Sequence, residues 1–293
     1  MELQWPLILF TTLVAWSAGL FASQCALAVG APGRRGQMAA WCTSAVLLAA
    51  GGIAVFFHLQ HWERIFNGFG NPTSGITQEL VAIVVLAVVA IAYLAVLRKR
   101  DGEMPKWLAI VGIVVSVLLV AVMAHSYMMV ARPAWDSPTW VLAVIGNACV
   151  LGPATMAVID RMANEQGESP KLVSTLVLAG SAVNAALTAV YLAAASLATS
   201  TFINVGFYFD PNHPNHAIEQ ASSFAPFSAD NLALCVFGVI LVGLIAPVVS
   251  AIIGKKNGNW KVWGSVCAVC ALVGAICLRI VFYNMGADMF LIF

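Results

Sequence analysis

Residues 77–98 read TQELVAIVVLAVVAIAYLAVLR, and this stretch decides the fold. Between Glu79 and Arg98 it carries no charged side chain. A helix of about twenty residues rises about 30 Å, which is the thickness of the hydrocarbon core of a bilayer. The stretch therefore predicts a transmembrane helix.

The composition of the whole chain agrees with this interpretation. Of its 293 residues, 61% are hydrophobic and 9% are charged, whereas soluble domains have about 25% charged residues. A soluble protein must cover its surface with polar groups, so this composition excludes an ordinary soluble domain. A membrane β-barrel would show alternating strands of about ten residues. The much longer apolar runs favour helices.

The same pattern recurs along the chain and is interrupted by Pro, Gly and Asn. The sequence predicts an all-α integral membrane protein, an eight-helix transmembrane bundle that forms a single domain over residues 1–293. The predicted spans are 5–29, 37–60, 77–98, 105–130, 138–160, 171–200, 230–253 and 260–284.

The distribution of Lys and Arg predicts the orientation of the bundle. One set of loops carries eleven of them, and the other side carries only Arg64, Arg132 and Arg279. Because cytoplasmic loops are enriched in Lys and Arg, the first side is expected to be cytoplasmic. Eight spans then place both termini outside, together with the long loop over residues 201–229.

Among the ionisable residues within the predicted spans, four stand out: His58, Glu79, His125 and Arg279. Such residues are costly in a membrane and are candidates for function. All four lie in the outer third of the predicted bundle, which suggests one polar pocket. Each also has a structural explanation: an interfacial or packed histidine for His58 and His125, a helix-dipole partner for Glu79, and a snorkelling side chain for Arg279.

Metal chemistry is only weakly indicated. Cys267 and Cys270 have the spacing of metal ligands, but no second pair accompanies them, so packed helix residues are the better interpretation. His213 and His216 lie in the long outer loop without a cluster of further ligands. We therefore predict no metal site. A b-type haem between His58 and His125 remains an alternative, because their predicted depths are compatible.

Three local matches connect the sequence to a known family. They are Gln4 to Thr11, the stretch from His58 through Asn67 to Glu79, and the final Arg279 to Tyr283. With these motifs and its eight spans, the chain resembles the membrane anchor subunit of dimethyl sulfoxide reductase-type complexes, the three-subunit molybdenum enzymes of anaerobic respiration. The loop around Phe207–Pro211 and the pair His61-Trp62 depart from the family pattern, which leaves the pocket mouth and the partner contact open.

The resemblance implies a function for the chain and for its partners. A member of this family oxidises menaquinol in the bacterial cytoplasmic membrane. It passes electrons to an iron–sulfur subunit, which feeds a subunit with the molybdenum cofactor. The anchor itself is expected to contain no haem. The terminal substrate, the direction of electron flow and the docking face of the partners stay open.

The resemblance also assigns roles to residues of this sequence. The quinol-site histidine falls on His58, and the carboxylate at the start of the third helix falls on Glu79; these two are the candidate catalytic residues. Arg279 and Tyr283 complete the candidate quinol-binding set. Histidine is a suitable acceptor for the quinol proton. Glu79 is expected to orient the imidazole or take the proton onward, and Arg279 to keep a carboxylate ionised or to donate to the quinone oxygen.

Two other classes of function compete with this one. A secondary transporter also has many spans and a polar pocket, but transporters commonly show inverted repeats and broken helices near the midplane. The sequence shows no such repeat. The third possibility is a purely structural anchor with an inert pocket.

Overall fold

The computed structural model describes residues 4–33, 35–58, 70–99, 103–130, 132, 134–164, 169–201 and 225–286. The predicted features at His61-Trp62, His213 and His216 lie outside these residues. All regular secondary structure in the described part of the chain is helical. Eight of the helices are long and apolar enough to cross a membrane, which confirms the predicted fold class.

We number the eight membrane-spanning helices in chain order. They are α1 Trp5–Gly30, α2 Gln37–Phe56, α3 Gly75–Lys99, α4 Lys106–His125, α5 Pro138–Ala163, α6 Lys171–Thr201, α7 Ala229–Asn257 and α8 Trp260–Asn284. Two of these helices end several residues earlier than the sequence predicts. Helix α2 ends at Phe56 instead of residue 60, and α4 ends at His125 instead of residue 130.

The early end of α4 has a visible cause. The Ser126 hydroxyl donates to the Met123 carbonyl at 2.8 Å and also to the Glu79 carboxylate of α3. The chain then leaves the helix axis, although Tyr127 to Val130 remain apolar. Hydropathy does not distinguish an apolar loop from an apolar helix, so the sequence overextended this span.

The connection between α7 and α8 follows the local sequence signals. Gly258 has φ +70°, a left-handed conformation that glycine adopts easily, and its N–H donates to the Gly254 carbonyl at 2.9 Å. The Asn259 side chain then accepts from the Val262 N–H at 3.4 Å and caps the start of α8. The turn is therefore determined by a C-terminal glycine followed by an N-cap asparagine.

Helices α1 and α5 are the most buried of the eight and pack directly against each other. Helices α2 and α4 also pack on α1, while α6 and α8 pack on α5. Helix α3 lies at the periphery, mainly against α4, and shares few contacts with α2. Helix α7 packs on α8 and α6.

Close helix approach depends on glycines at the crossing points. A Cβ added to Gly152 of α5 would overlap the Gly19 carbonyl of α1, and one added to Gly19 would overlap the Ala148 carbonyl. Gly243 of α7 and Gly274 of α8 meet in the same way. Small residues at such crossings let helix backbones pack tightly where lipid supplies no hydrophobic driving force.

Helix α7 contains a π-helical segment, Leu234–Ile245, followed by Pro247. Proline has no N–H, so the Gly243 carbonyl lacks its normal α-helical donor. The Asn184 side chain of α6 donates to this carbonyl at 3.2 Å. A neighbouring helix thus satisfies the backbone group that proline leaves free, as the membrane interior requires.

Hydrogen bonds show which helix ends meet at one face of the bundle. His58 after α2 contacts Gln4 before α1, and Trp135 before α5 contacts Phe282 near the end of α8. Asn284 at the end of α8 contacts Asn231 at the start of α7. We call this end of the bundle the N-terminal face, because α1 begins there.

Candidate functional site

Arg279 is the most unusual side chain near the N-terminal face. It lies five residues before the end of α8, about 7 Å along the helix axis, and is 1% exposed. Its Nε donates to Thr11 Oγ1 at 2.8 Å, and its Nη1 donates to Asn147 Oδ1 at 2.9 Å. Further bonds reach the Ala275 and Thr11 carbonyls at 3.1 and 3.2 Å. The guanidinium therefore does not snorkel outward; it joins α8 to α1 and α5.

The partners of Arg279 are neutral. No carboxylate among the described residues lies within ion-pairing distance of it, so the positive charge is held by hydroxyl, amide and carbonyl oxygens. A buried charge is costly unless it is well hydrogen-bonded. This arrangement supplies a fixed positive potential inside the bundle.

Glu79 lies one turn into α3, is 8% exposed, and accepts a hydrogen bond from the Ser126 hydroxyl at the end of α4. Gly75 makes this contact possible, because a Cβ there would lie 2.8 Å from the Ser126 Cβ. The start of α3 is thus pinned to the end of α4. The carboxylate points into the protein rather than into the bilayer.

Two buried tyrosines, Tyr127 and Tyr283, lie near the carboxylate and the guanidinium. Tyr127 and Tyr283 face each other and are near enough to Glu79 and Arg279 to interact with both charges. Tyr127 lies beyond the end of α4. Burial, followed by the Glu79 carboxylate, raises the pKa of the Tyr127 hydroxyl well above its usual range, so this hydroxyl stays protonated and can donate a hydrogen bond.

The Tyr283 hydroxyl is buried beside the Tyr127 hydroxyl, and among the residues that the structure describes no group satisfies it with good hydrogen-bond geometry. A buried polar group without a partner is rare and calls for an explanation. This hydroxyl therefore marks a polar position inside the bundle, beside Tyr127.

Aromatic rings form one wall beside these groups. Phe282 stacks between Trp135 and Trp140, with ring centroids 4.7 and 3.9 Å away. Trp135 is fixed by a 2.6 Å hydrogen bond from its Nε1 to the Phe282 carbonyl. Flat aromatic side chains provide a rigid apolar surface that suits a ring-shaped ligand.

His58 lies apart from this cluster. It follows α2 at the N-terminal face, is exposed, and its Nδ1 lies 3.1 Å from Gln4 Oε1. Gln4, which contacts His58, lies seven residues before Thr11, which contacts Arg279. Seven helical residues rise about 10 Å, so His58 lies about that much nearer the N-terminal face than Arg279 does. His58 is therefore open to solvent, while the other candidates are enclosed.

His125 is the last residue of α4 and is exposed. The sequence had placed it inside span 4; the shorter helix puts it at the end. In the described part of the chain, His58 contacts Gln4, and no contact joins it to His125. Both imidazoles are exposed, and each lies at or just beyond the end of its helix.

The structure thus brings together three of the four candidates, Glu79, Tyr283 and Arg279, around Tyr127. Sequence reasoning did not select Ser126, Tyr127, Thr11 or Asn147 as site residues. Thr11 and Asn147 are polar residues within apolar spans, and that signal was available. Ser126 and Tyr127 gave no signal, because their importance comes from the point at which α4 ends.

A chain of polar side chains extends from the cluster into the bundle. Asn147 accepts from Arg279 and donates from its Nδ2 to Asn184 Oδ1 at 2.9 Å. Asn184 in turn donates to the Gly243 carbonyl of α7. The network joins α1, α8, α5, α6 and α7, so the position of Arg279 is determined by most of the bundle.

The fold is that of a polytopic membrane protein, with an enclosed cluster of polar side chains near one face. A family model described as DMSO reductase anchor subunit (DmsC) matches residues 1–285. The chain belongs to this family. Its membership implies catalytic and electron-transfer partner subunits. No curated protein matches the chain.

Proposed function

We propose that this subunit oxidises menaquinol near the N-terminal face and passes the electrons to an iron–sulfur subunit. The cluster of Glu79, Tyr127, Tyr283 and Arg279 carries the proposal. It offers a proton acceptor, two neutral hydroxyls and a fixed positive charge beside an aromatic wall. Family membership supplies the reaction class.

The reaction removes two electrons and two protons from each quinol. The two electrons pass to the iron–sulfur subunit and from there to the molybdenum subunit. Glu79 accepts a proton from the bound quinol, and His58, exposed at the face, transfers protons to water. Arg279 stabilises the negative charge that develops on the quinol oxygen as the proton leaves.

The orientation proposed from the Lys and Arg counts puts the N-terminal face outside the bacterial cytoplasmic membrane. The difference in Lys and Arg count between the loops of the two faces becomes larger, because Arg279 is enclosed in the bundle and is not a loop charge. Only Arg64 and Arg132 then remain on the N-terminal side. In this orientation the protons are released outside, and an iron–sulfur subunit that docks on the same face accepts the electrons over the shortest distance.

The test measures oxidation of a menaquinol analogue by membranes that carry the assembled complex. We expect His58→Ala and Glu79→Gln each to lower the rate at least about 100-fold, the usual size of a lost general acid–base group. Reduction of the terminal substrate with an artificial donor should stay unchanged. His125→Ala, which removes an exposed histidine at the same face, is the matched control and should retain full activity.

A dithionite-reduced visible spectrum of the same membranes tests the haem alternative. Bands of a b-type haem that disappear in His58→Ala or His125→Ala would replace the quinol-site proposal with a cytochrome. Unchanged quinol oxidation in both His58→Ala and Glu79→Gln would remove these residues from the mechanism and favour an inert anchor.

A further inference from the structure

A groove of about 500 Å³ runs between the halves of α3 and α4 nearest the N-terminal face. Its α3 wall extends from Thr77 to Val85, and its α4 wall extends from Val115 to Val122. Eight residues of helix correspond to about 12 Å, so the groove reaches well into the bilayer.

The lining of the groove changes along its length. Farther from the N-terminal face it is formed by aliphatic side chains, among them Val85 and Leu118. Its polar residues, Thr77 and Gln78, are confined to the end near the N-terminal face, next to Pro72. The groove therefore fits a molecule that is apolar along most of its length and polar at one end.

The polar end of the groove adjoins the cluster described above. Gln78 precedes Glu79, and Val122 lies one helical turn before Ser126, which donates to Glu79. The wall of the groove and the support of the carboxylate are thus formed by the same two helix segments. The groove therefore ends beside the Glu79–Ser126 contact, at the same end of the two helices.

We infer that this groove binds the isoprenoid tail of the quinol. The inference rests on the proposed quinol oxidation and identifies the part of the substrate that α3 and α4 recognise. A respiratory quinol has a polar ring at one end of a long branched hydrocarbon chain, and it reaches the protein from the lipid. The groove opens to the side of the bundle, where α3 exposes Val84 and Val88 to lipid.

The test compares quinols of different tail length in membranes that carry the complete complex. Val85→Phe places a ring in the groove from α3, and Leu118→Trp does so from α4. Val88→Phe and Val114→Trp are the matched controls, since these residues are exposed on the same two helices but do not line the groove. The substrates are a tailless menadiol and menaquinols with short and long tails.

Wild type should show a lower KM for the long-tailed quinol than for the tailless one. We expect Val85→Phe and Leu118→Trp to raise the KM for the long-tailed quinol about tenfold, as expected when roughly 50 Å² of apolar contact is lost. The KM for menadiol and the kcat for both substrates should stay unchanged. Both control variants should match wild type.

The inference is overturned if Val85→Phe and Leu118→Trp show wild-type KM values for both the tailless and the long-tailed quinol. That result would indicate that the groove holds lipid acyl chains. The inference is also overturned if wild type shows no preference for a tail. In either case continued oxidation of menadiol, and its loss in His58→Ala, would leave the proposed function intact. If no quinol is oxidised by wild type, both proposals fail together.

Discussion

At the scale of single residues, the buried groups Arg279 and Glu79 are stabilised in different ways. Arg279 is surrounded by four neutral hydrogen-bond acceptors from three helices. Glu79 is held by one serine and by the close approach that Gly75 permits. A charge inside a membrane is costly. Arg279 offsets that cost by the number of its hydrogen bonds and therefore also acts as a structural clamp.

We predict that Arg279→Lys destabilises the complex by about 2 kcal/mol, because a lysine ammonium cannot reach the acceptors in Thr11, Asn147 and Ala275 at once. The measurement is thermal unfolding of the purified complex in detergent. Arg98→Lys, at an exposed position near the end of α3, is the control and should leave the unfolding temperature unchanged. Equal unfolding temperatures for both variants would contradict a clamping role.

At the scale of helices, the structure depends on backbone contacts that only small residues allow. Pro153 removes the N–H that would bond to the Cys149 carbonyl, and Gly180 of α6 lies so close to this carbonyl that a Cβ would overlap it. The same principle applies at the Gly19–Gly152 crossing, where the two most buried helices meet. The rotation of each helix about its own axis is therefore determined by glycines and by carbonyls that lack a helical donor, not by an amphipathic stripe.

We predict that Gly152→Ala lowers the stability of the bundle by about 1–3 kcal/mol, the usual effect of overpacking a tight contact. The reason is that the new Cβ overlaps the Gly19 carbonyl and pushes α1 away from α5. The amount of assembled complex in membranes and its unfolding temperature are the measurements.

The control for this substitution is Gly52→Ala in α2, where the new Cβ would meet no atom within 4 Å. It should be neutral or stabilise the helix by up to about 1 kcal/mol, because alanine has a higher helix propensity than glycine. If Gly152→Ala behaves like Gly52→Ala, the α1–α5 crossing is not as tightly packed as the structure indicates.

At the scale of the whole molecule, the polar groups are unevenly distributed along the membrane normal. The enclosed ionisable cluster lies near the N-terminal face, within about two turns of the helix ends. At the opposite face, Gln24 and Tyr93 both bond to Gln37, which links α1, α2 and α3 by neutral groups. The Glu79–Arg279 cluster therefore lies at one end of the bundle, and the buried Asp160 of α5 lies near the other end.

We predict that the N-terminal face is outside the cytoplasmic membrane. Alkaline phosphatase fused after Gly286 should be active, whereas phosphatase fused after Lys256 should be inactive, because the loops near Lys256 carry most of the Lys and Arg. Green fluorescent protein at the same two positions should give the reverse pattern. A reversed result would place quinol oxidation on the cytoplasmic side.

The candidate site was only partly predictable from the sequence. Glu79, Arg279 and Tyr283 were selected because ionisable groups in apolar spans and a matched motif are visible in the chain itself. Their separation from His58, and the position of Tyr127 beside them, were not visible. These features depend on where α4 ends and on which neighbours α3 and α8 have, and no local property of the sequence encodes either.

The sequence by itself determined that the chain crosses a membrane eight times as helices, because hydropathy and segment length are local and the bilayer requires every span to satisfy its own backbone hydrogen bonds. Only the tertiary structure decided which polar side chains meet. Such meetings join residues as far apart as Thr11 and Arg279, and they follow from helix rotation and neighbour choice. Helix rotation and the choice of neighbours are determined by glycine contacts, by a carbonyl that proline leaves without a donor and by a serine at a helix end. These effects appear only when the helices are packed.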